Sequence, residues 1–358
     1  MIGSAPFPIS LAELTADTLS VALDQPVTSF DAQQIGADRG MLGEIFLVTP
    51  TYGPRTPGAE ASRPASVICK FAALRDEALA SAKRGGTHER EVRCYDELLA
   101  TSSASTPHFY AAWYDPDTAH FLLVQEAIEA DGSVDQVAGI DPTLAALVGH
   151  EAARFHHERW ADSALSELGW LPRLDDPRRI QNLTTLAANG WGPLCDLLGD
   201  ELSPAEQGLG AELPNRLEHA LRSLAELPST LIHSDLRADN LLFAPDRSSV
   251  SLIDWQGAGI GPASFDLAYL LSHSLTVEAR RSHADTLIAD YLQNLSNAGT
   301  QLSHDEFMTG FKLSLHYGLA IACAMPLIAD SSQVRVKALA TAMARRSIDA
   351  LADYELIW

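Results

Sequence analysis

The sequence predicts an α+β protein of two lobes: an antiparallel sheet with a helix, then a larger helical lobe. Three observations carry this. Strand-like segments crowd into the first 126 residues. Helical periodicity dominates from Leu144 onward. The clear break in that helical tract, Ser229–Asp254, gathers polar residues around short apolar runs. Period-two alternation marks the first region, and apolar residues three and four apart mark the second. The lobes are expected over residues 1–126 and 127–358, with the join near Glu126–Ser133.

Ser10 with Glu13 forms a capping-box pattern, which predicts a helix from Leu11 to about Leu23. Val27–Ile35 and Glu44–Thr49 read as strands around a glycine-bearing turn, Gly36 to Gly43. A Pro/Gly-rich loop at Tyr52–Gly58 leads to a strand at Ser66–Phe71. Thr87 is the expected cap of a helix to about Ala100, with Val92, Tyr95, Leu98 and Leu99 as its apolar stripe. Phe109–Tyr114 and Phe121–Gln125 are two further strands joined by Asp115-Pro116-Asp117. Leu144–Trp160 is a long amphipathic helix with Leu144, Leu147, Val148, Ala152 and Phe155 on one side.

Lys and Arg number 25 against 47 Asp and Glu, a net charge of −22. Nucleic-acid binding rests on clustered cations, so that class is excluded. The acid excess serves solubility, and it mildly favours an amine-bearing substrate. The four cysteines, Cys69, Cys94, Cys195 and Cys323, form no C-x-x-C pair and suggest a reducing compartment. No apolar run is long enough for a membrane span, and the N-terminus lacks a signal-peptide pattern. A cytoplasmic protein without a membrane partner, monomeric or homodimeric, is the expectation.

The chemistry concentrates at His233-Ser234-Asp235-Leu236-Arg237-Ala238-Asp239-Asn240 and Ile253-Asp254-Trp255-Gln256. Asn240–Ala244 and Ser249–Ile253 read as strands around the turn Pro245–Ser248. A hairpin centred near residue 247 sets Leu242 opposite Leu252, within a slip of one, and brings Asn240 beside Asp254 at its open end. Asp235 lies on the loop leading in. An Asn and an Asp suit Mg²⁺, a hard cation that keeps waters and phosphate oxygens in its other positions. Asp235, with no metal contact of its own, is placed to take a proton from a hydroxyl. Positioning and charge neutralisation are what phosphoryl transfer needs. The plainer reading is that polar residues at a hairpin mouth are turn formers.

On these motifs the sequence resembles the aminoglycoside phosphotransferase and choline-kinase superfamily, which shares the protein-kinase-like fold. It is closest in flavour to ecdysteroid-kinase-like members, and the likeness runs from about Phe30 to Leu275. The resemblance implies ATP and Mg²⁺ as cofactors and a small-molecule hydroxyl as acceptor. It makes Lys70 the residue that reaches the phosphates and Glu91 its helix partner. Ile68, on the same strand face, would roof the base. The Glu126 carbonyl and Ile128 amide would contact the adenine. Gly36, Gly40 and Gly43 lie where the triphosphate loop is expected, with Gly40 as its contact, though no clean G-x-G-x-x-G is present. Asn240 and Asp254 become the metal ligands and Asp235 the base. His156 and His157 are expected to pack or cap, and Asp266 to hold the catalytic loop. Ser234 stands where many relatives have Gly, and Arg237 and Asp239 replace the commoner His and Gly. Arg237 either neutralises the transferred phosphate or pairs with Asp239.

A protein Ser/Thr kinase is a rival reading, opposed by the lack of an Ala-Pro-Glu segment after Asp254. A silent nucleotide-binding protein is another, opposed by the presence of every key Asp, Asn and Lys. A metal-dependent phosphoesterase would need a denser ligand cluster.

Overall fold

In the computed structural model, which describes all residues except 1, 4–5, 37–42, 55–62, 133, 329–333 and 358, the chain divides into two units. One comprises Met1–Ser102, Thr106–Glu129 and Ile253–Gly257, the other Ser103–Ser105, Ala130–Leu252 and Ala258–Trp358. The central stretch of the first unit runs to Glu129. The unit also takes in Ile253–Gly257, because Arg90 donates to the Gln256 carbonyl at 2.6 Å and Lys70 binds Asp254.

The first unit is built in chain order from β1 (Ile2–Gly3), α1 (Ala16–Leu23), β2 (Val27–Ile35), β3 (Gly43–Tyr52), β4 (Val67–Ala72), α2 (Asp76–Gly85), α3 (Thr87–Arg93), β5 (Phe109–Tyr114) and β6 (Phe121–Glu126). The strands lie in the order β1-β5-β6-β4-β3-β2. All pairings are antiparallel except that of β1 with β5, which is parallel. Alternation divides the sheet's faces. Phe46, Val48, Val67, Cys69 and Phe71 form a core with Leu19 and Leu23 of α1, while Ile68 and Lys70 project from the other face of β4. A side chain at Gly43 would set its Cβ 2.8 Å from the Phe71 carbonyl, so glycine lets the two strands close there.

Two helices differ from expectation. Ser10 makes no side-chain cap; Leu11–Glu13 is a single 3₁₀ turn, and α1 starts at Ala16, where Thr15 Oγ1 accepts from the Thr18 amide at 3.1 Å. The helix expected from Thr87 to Ala100 is regular only to Arg93. A wider π turn over Cys94–Leu98 then keeps Cys94, Tyr95 and Leu98 buried. Gly86, not Thr87, forms the corner with α2.

The second unit holds α4 (Pro142–Glu158), α5 (Pro177–Leu198), α6 (Pro204–Gln207), α7 (Leu213–Leu224), β7 (Thr230–Ile232), β8 (Leu241–Phe243), β9 (Val250–Leu252), β10 (Gly259–Gly261), α8 (Ser264–Ser274), α9 (Val277–Ala298), α10 (His304–Ile328) and α11 (Val334–Asp353). Asp141 and Asp176 cap α4 and α5, each followed by Pro at the first helical position. Every residue of α8 is buried, which makes it the central helix. Among the described residues no helix is long and apolar enough to cross a membrane.

β8 and β9 pair with Leu241 opposite Leu252 and Leu242 opposite Ser251. This is the one-residue slip from a pairing of Leu242 with Leu252. The cause is the loop: the Ala244 amide donates to the Ser249 carbonyl at 3.0 Å, and Arg247 takes a left-handed conformation with φ of 59°. β7 pairs with β10, a Gly-Ile-Gly strand whose composition gives no strand signal.

Candidate active site

Lys70 and Glu91 meet within the first unit. Lys70 Nζ lies 2.7 and 2.9 Å from the two carboxylate oxygens of Glu91, whose side chain is 2% exposed. β4 aims Lys70 away from the α1 core, and α3 turns Glu91 inward beside Val92. The ammonium also donates to Asp254 Oδ1 at 2.9 Å. Asp254 has a left-handed backbone, φ 66°, which orients its carboxylate; Gln256 Nε2 donates to Oδ2 at 3.3 Å. Burial works against the charge of Lys70, but Asp254 and Glu91 outweigh it and hold its pKa above the usual lysine range. Ile68 shares the face of Lys70, and Glu126 ends β6 opposite Val67 with its side chain exposed. Ile128 follows β6 by two residues. Gly40 lies outside the described residues.

The second unit carries the loop of Asp235. Asp266, fully buried in α8, accepts from the His233 amide at 2.7 Å and the Ser234 amide at 2.8 Å. His156 Nε2 lies 3.2 Å from the same carboxylate, and its Nδ1 lies 2.9 Å from the Tyr291 hydroxyl. His157 meets Thr300 Oγ1 at 2.8 Å. Both histidines are therefore packing and hydrogen-bonding residues, and Asp266 fixes the backbone of the loop.

Asp235 is held through both oxygens. Asn240 Nδ2 donates to Oδ2 at 2.8 Å and to the Asp235 carbonyl at 2.9 Å. Arg237 Nε donates to Oδ1 at 3.1 Å, and its Nη1 donates to Asp239 at 2.9 Å. Arg237 thus pairs with both neighbouring carboxylates. With its Nδ2 engaged, Asn240 keeps its amide oxygen as the donor suited to a hard cation. Asn240 immediately precedes β8, and Asp254 follows β9 by two residues. Among the described residues no group of three or more His, Cys, Asp or Glu could hold a metal ion.

His273 of α8 is buried below this loop, with Nε2 3.2 Å from Ser347 Oγ. Burial, then Arg237 and Arg346, lower its pKa to about 3. The folded chain refuses a proton that the unfolded chain takes below about pH 6.5. Stability should therefore be full above that value and fall as pH drops through the window toward 3, by about 1.4 kcal/mol per unit. Urea midpoints of wild type and His273→Asn between pH 7.5 and 5 check this. An acid sensitivity unchanged in His273→Asn would remove His273 as its source.

Of the residues singled out in the sequence, the structure joins Lys70 to Glu91 and Asn240 to Asp235. Sequence reasoning missed the contact of Lys70 with Asp254 and that of Arg179 Nη2 with Ser234 Oγ at 3.1 Å. Neither has a local signal, because the partners are 184 and 55 residues apart.

Residues 137–301, a little under half of the chain, match the model of the phosphotransferase enzyme family. A homoserine kinase of Granulibacter bethesdensis is 38% identical over 94 residues, covering 25% of this chain and 28% of that protein. The chain thus matches less than a third of that relative's length. Among solved structures, a choline kinase from Cryptosporidium parvum superposes with a TM-score of 0.57 at 12% identity, covering 92% of this chain and 91% of the other. An amicoumacin kinase in complex with AMP-PNP and Ca²⁺ gives 0.55 at 13% identity, covering 93% and 92%. At these identities the likeness is one of fold, and the fold is protein-kinase-like.

Proposed function

We propose that this chain, which carries a phosphotransferase enzyme family domain at residues 137–301, moves the γ-phosphate of ATP to a hydroxyl of a small molecule. The observation that carries the reading is Asp235, gripped through both oxygens by Asn240 and Arg237 on a loop whose backbone Asp266 holds. A carboxylate positioned in this way can orient a hydroxyl and take its proton as the oxygen attacks the γ-phosphorus, with ADP leaving. Lys70, steadied by Glu91, grips the nucleotide phosphates. Asn240 and Asp254 supply the oxygen ligands for Mg²⁺. When bound, that ion neutralises charge on the transferring group. Ile68 covers the base, and the backbone of Glu126 and Ile128 meets the adenine edge.

The acceptor in this reading is a small alcohol with an amine or ammonium group; a homoserine kinase among sequence relatives and a choline kinase among fold neighbours support that choice. The net charge of −22 agrees with an amine. The test is ADP release with MgATP and a panel of L-homoserine, choline, aminoglycosides, amino sugars and plain sugars, alongside the melting temperature with and without MgATP. The expected result is ADP release that depends on one of these alcohols, and a higher melting temperature with MgATP. The reading falls if no alcohol supports release and MgATP leaves the melting temperature unchanged.

A further inference from the structure

Arg179 is a cation beside the Asp235 loop that the proposed phosphate transfer leaves without a task. It stands in the first turn of α5, where Asp176 is occupied as the cap, accepting from the Arg178 and Arg179 amides at 2.9 and 3.1 Å. The guanidinium donates to Ser234 Oγ at 3.1 Å, and it and the Tyr317 phenol act on each other's charge. Among the described residues it forms no ion pair; Asp266 and Asp176 act on it only through space. Burial pushes its pKa down. A half-buried cation without a counterion is costly, so its retention beside the reacting loop calls for a ligand.

Two features show that the slot is built. A Cβ on Gly259 would lie 2.8 Å from the Pro172 backbone carbonyl and 2.6 Å from Arg179 Nη1, so glycine lets the backbone close there with the guanidinium against it. Ser234 holds a left-handed backbone, φ 65°, a conformation that costs a side-chain-bearing residue about 1–2 kcal/mol. Glycine would avoid that cost, and what serine adds is the hydroxyl on Arg179. The Tyr317 ring lies 5.5 Å from that of Tyr269, and burial and the Asp235 carboxylate raise the pKa of both phenols. Arg179, the two phenols and Asp235 therefore border one region.

We propose that Arg179, with the Tyr317 hydroxyl beside it, anchors a carboxylate on the acceptor, which makes the substrate a small hydroxy acid or hydroxy amino acid. The inference rests on the phosphate-transfer reading for the fate of the hydroxyl. A carboxylate takes two parallel N–H bonds from a planar guanidinium and supplies the missing counter-charge. The hydroxyl at the other end of such a molecule then reaches Asp235.

Isothermal titration without nucleotide tests the anchor apart from activity. The probes are L-homoserine, L-threonine and 4-hydroxybutyrate, each against its carboxamide. At least one acid should bind wild type about tenfold or more tighter than its amide, as a charge-assisted hydrogen bond implies. Arg179→Gln should erase that preference, and Arg179→Lys, which keeps the charge without the fork, should retain only part of it. Equal binding of acids and amides by wild type, or a preference surviving in Arg179→Gln, overturns the anchor. Turnover of the same probes and of choline separates the two readings. Phosphorylation of amides or choline but no acid overturns the anchor and leaves phosphate transfer standing. Arg179-dependent acid binding with no turnover of any alcohol and no melting shift with MgATP supports the anchor and sinks phosphate transfer.

Discussion

Asp235→Ala is expected to lower kcat for phosphate transfer by about a thousandfold, the range set by removing a positioned general base, while leaving MgATP binding intact. The structure separates chemistry from folding in this variant. Arg237, which loses Asp235, keeps Asp239 at 2.9 Å, so no cation is stranded. Asn240 loses one bond but retains the Asp235 carbonyl at 2.9 Å, which the substitution preserves. Asp266 binds the amides of His233 and Ser234, so the loop backbone stays in place. Turnover at saturating acceptor, with the MgATP-induced melting shift as control, checks this. A variant within tenfold of wild type would show that Asp235 is not the base, and a lost melting shift would show that the loop had collapsed.

The same loop shows what the sequence could carry. Asp235 and Asn240 were legible because they are five residues apart on one short segment, where spacing limits geometry. Lys70 and Glu91 were legible for an energetic reason: two inward-facing opposite charges on separate elements find each other, because either alone would be a buried unpaired ion. Strands β2 to β6 followed from alternation. β10 did not, since Gly-Ile-Gly has one side chain and becomes a strand only by pairing with β7. α2 also went unread. It buries only Ala78 and Ala82, yet Asp76 and Glu77 in the first turn and Lys83 and Arg84 in the last match the helix dipole and mark both ends. For Arg237 the sequence allows two roles, and only the folded loop shows it binding carboxylates on both sides.

Lys70→Met should both abolish nucleotide-dependent activity and destabilise the fold by about 3–5 kcal/mol, the cost of leaving a buried charge without its partner. The carboxylate left behind is that of Glu91, 2% exposed and hydrogen-bonded to Lys70 through both oxygens. Glu91→Gln should cost less, because Lys70 retains Asp254 at 2.9 Å. The double variant Lys70→Met/Glu91→Leu should recover much of the lost stability, since apolar residues of similar size can replace a buried pair at little net cost. It should recover no phosphate transfer, because the ammonium that grips the phosphates is gone. Urea midpoints of the three variants and wild type, with turnover on the same preparations, check the scheme. If Lys70→Met matches wild type in stability, the pair is not an ion pair that the fold depends on. If the double variant transfers phosphate, Lys70 has no part in gripping the nucleotide.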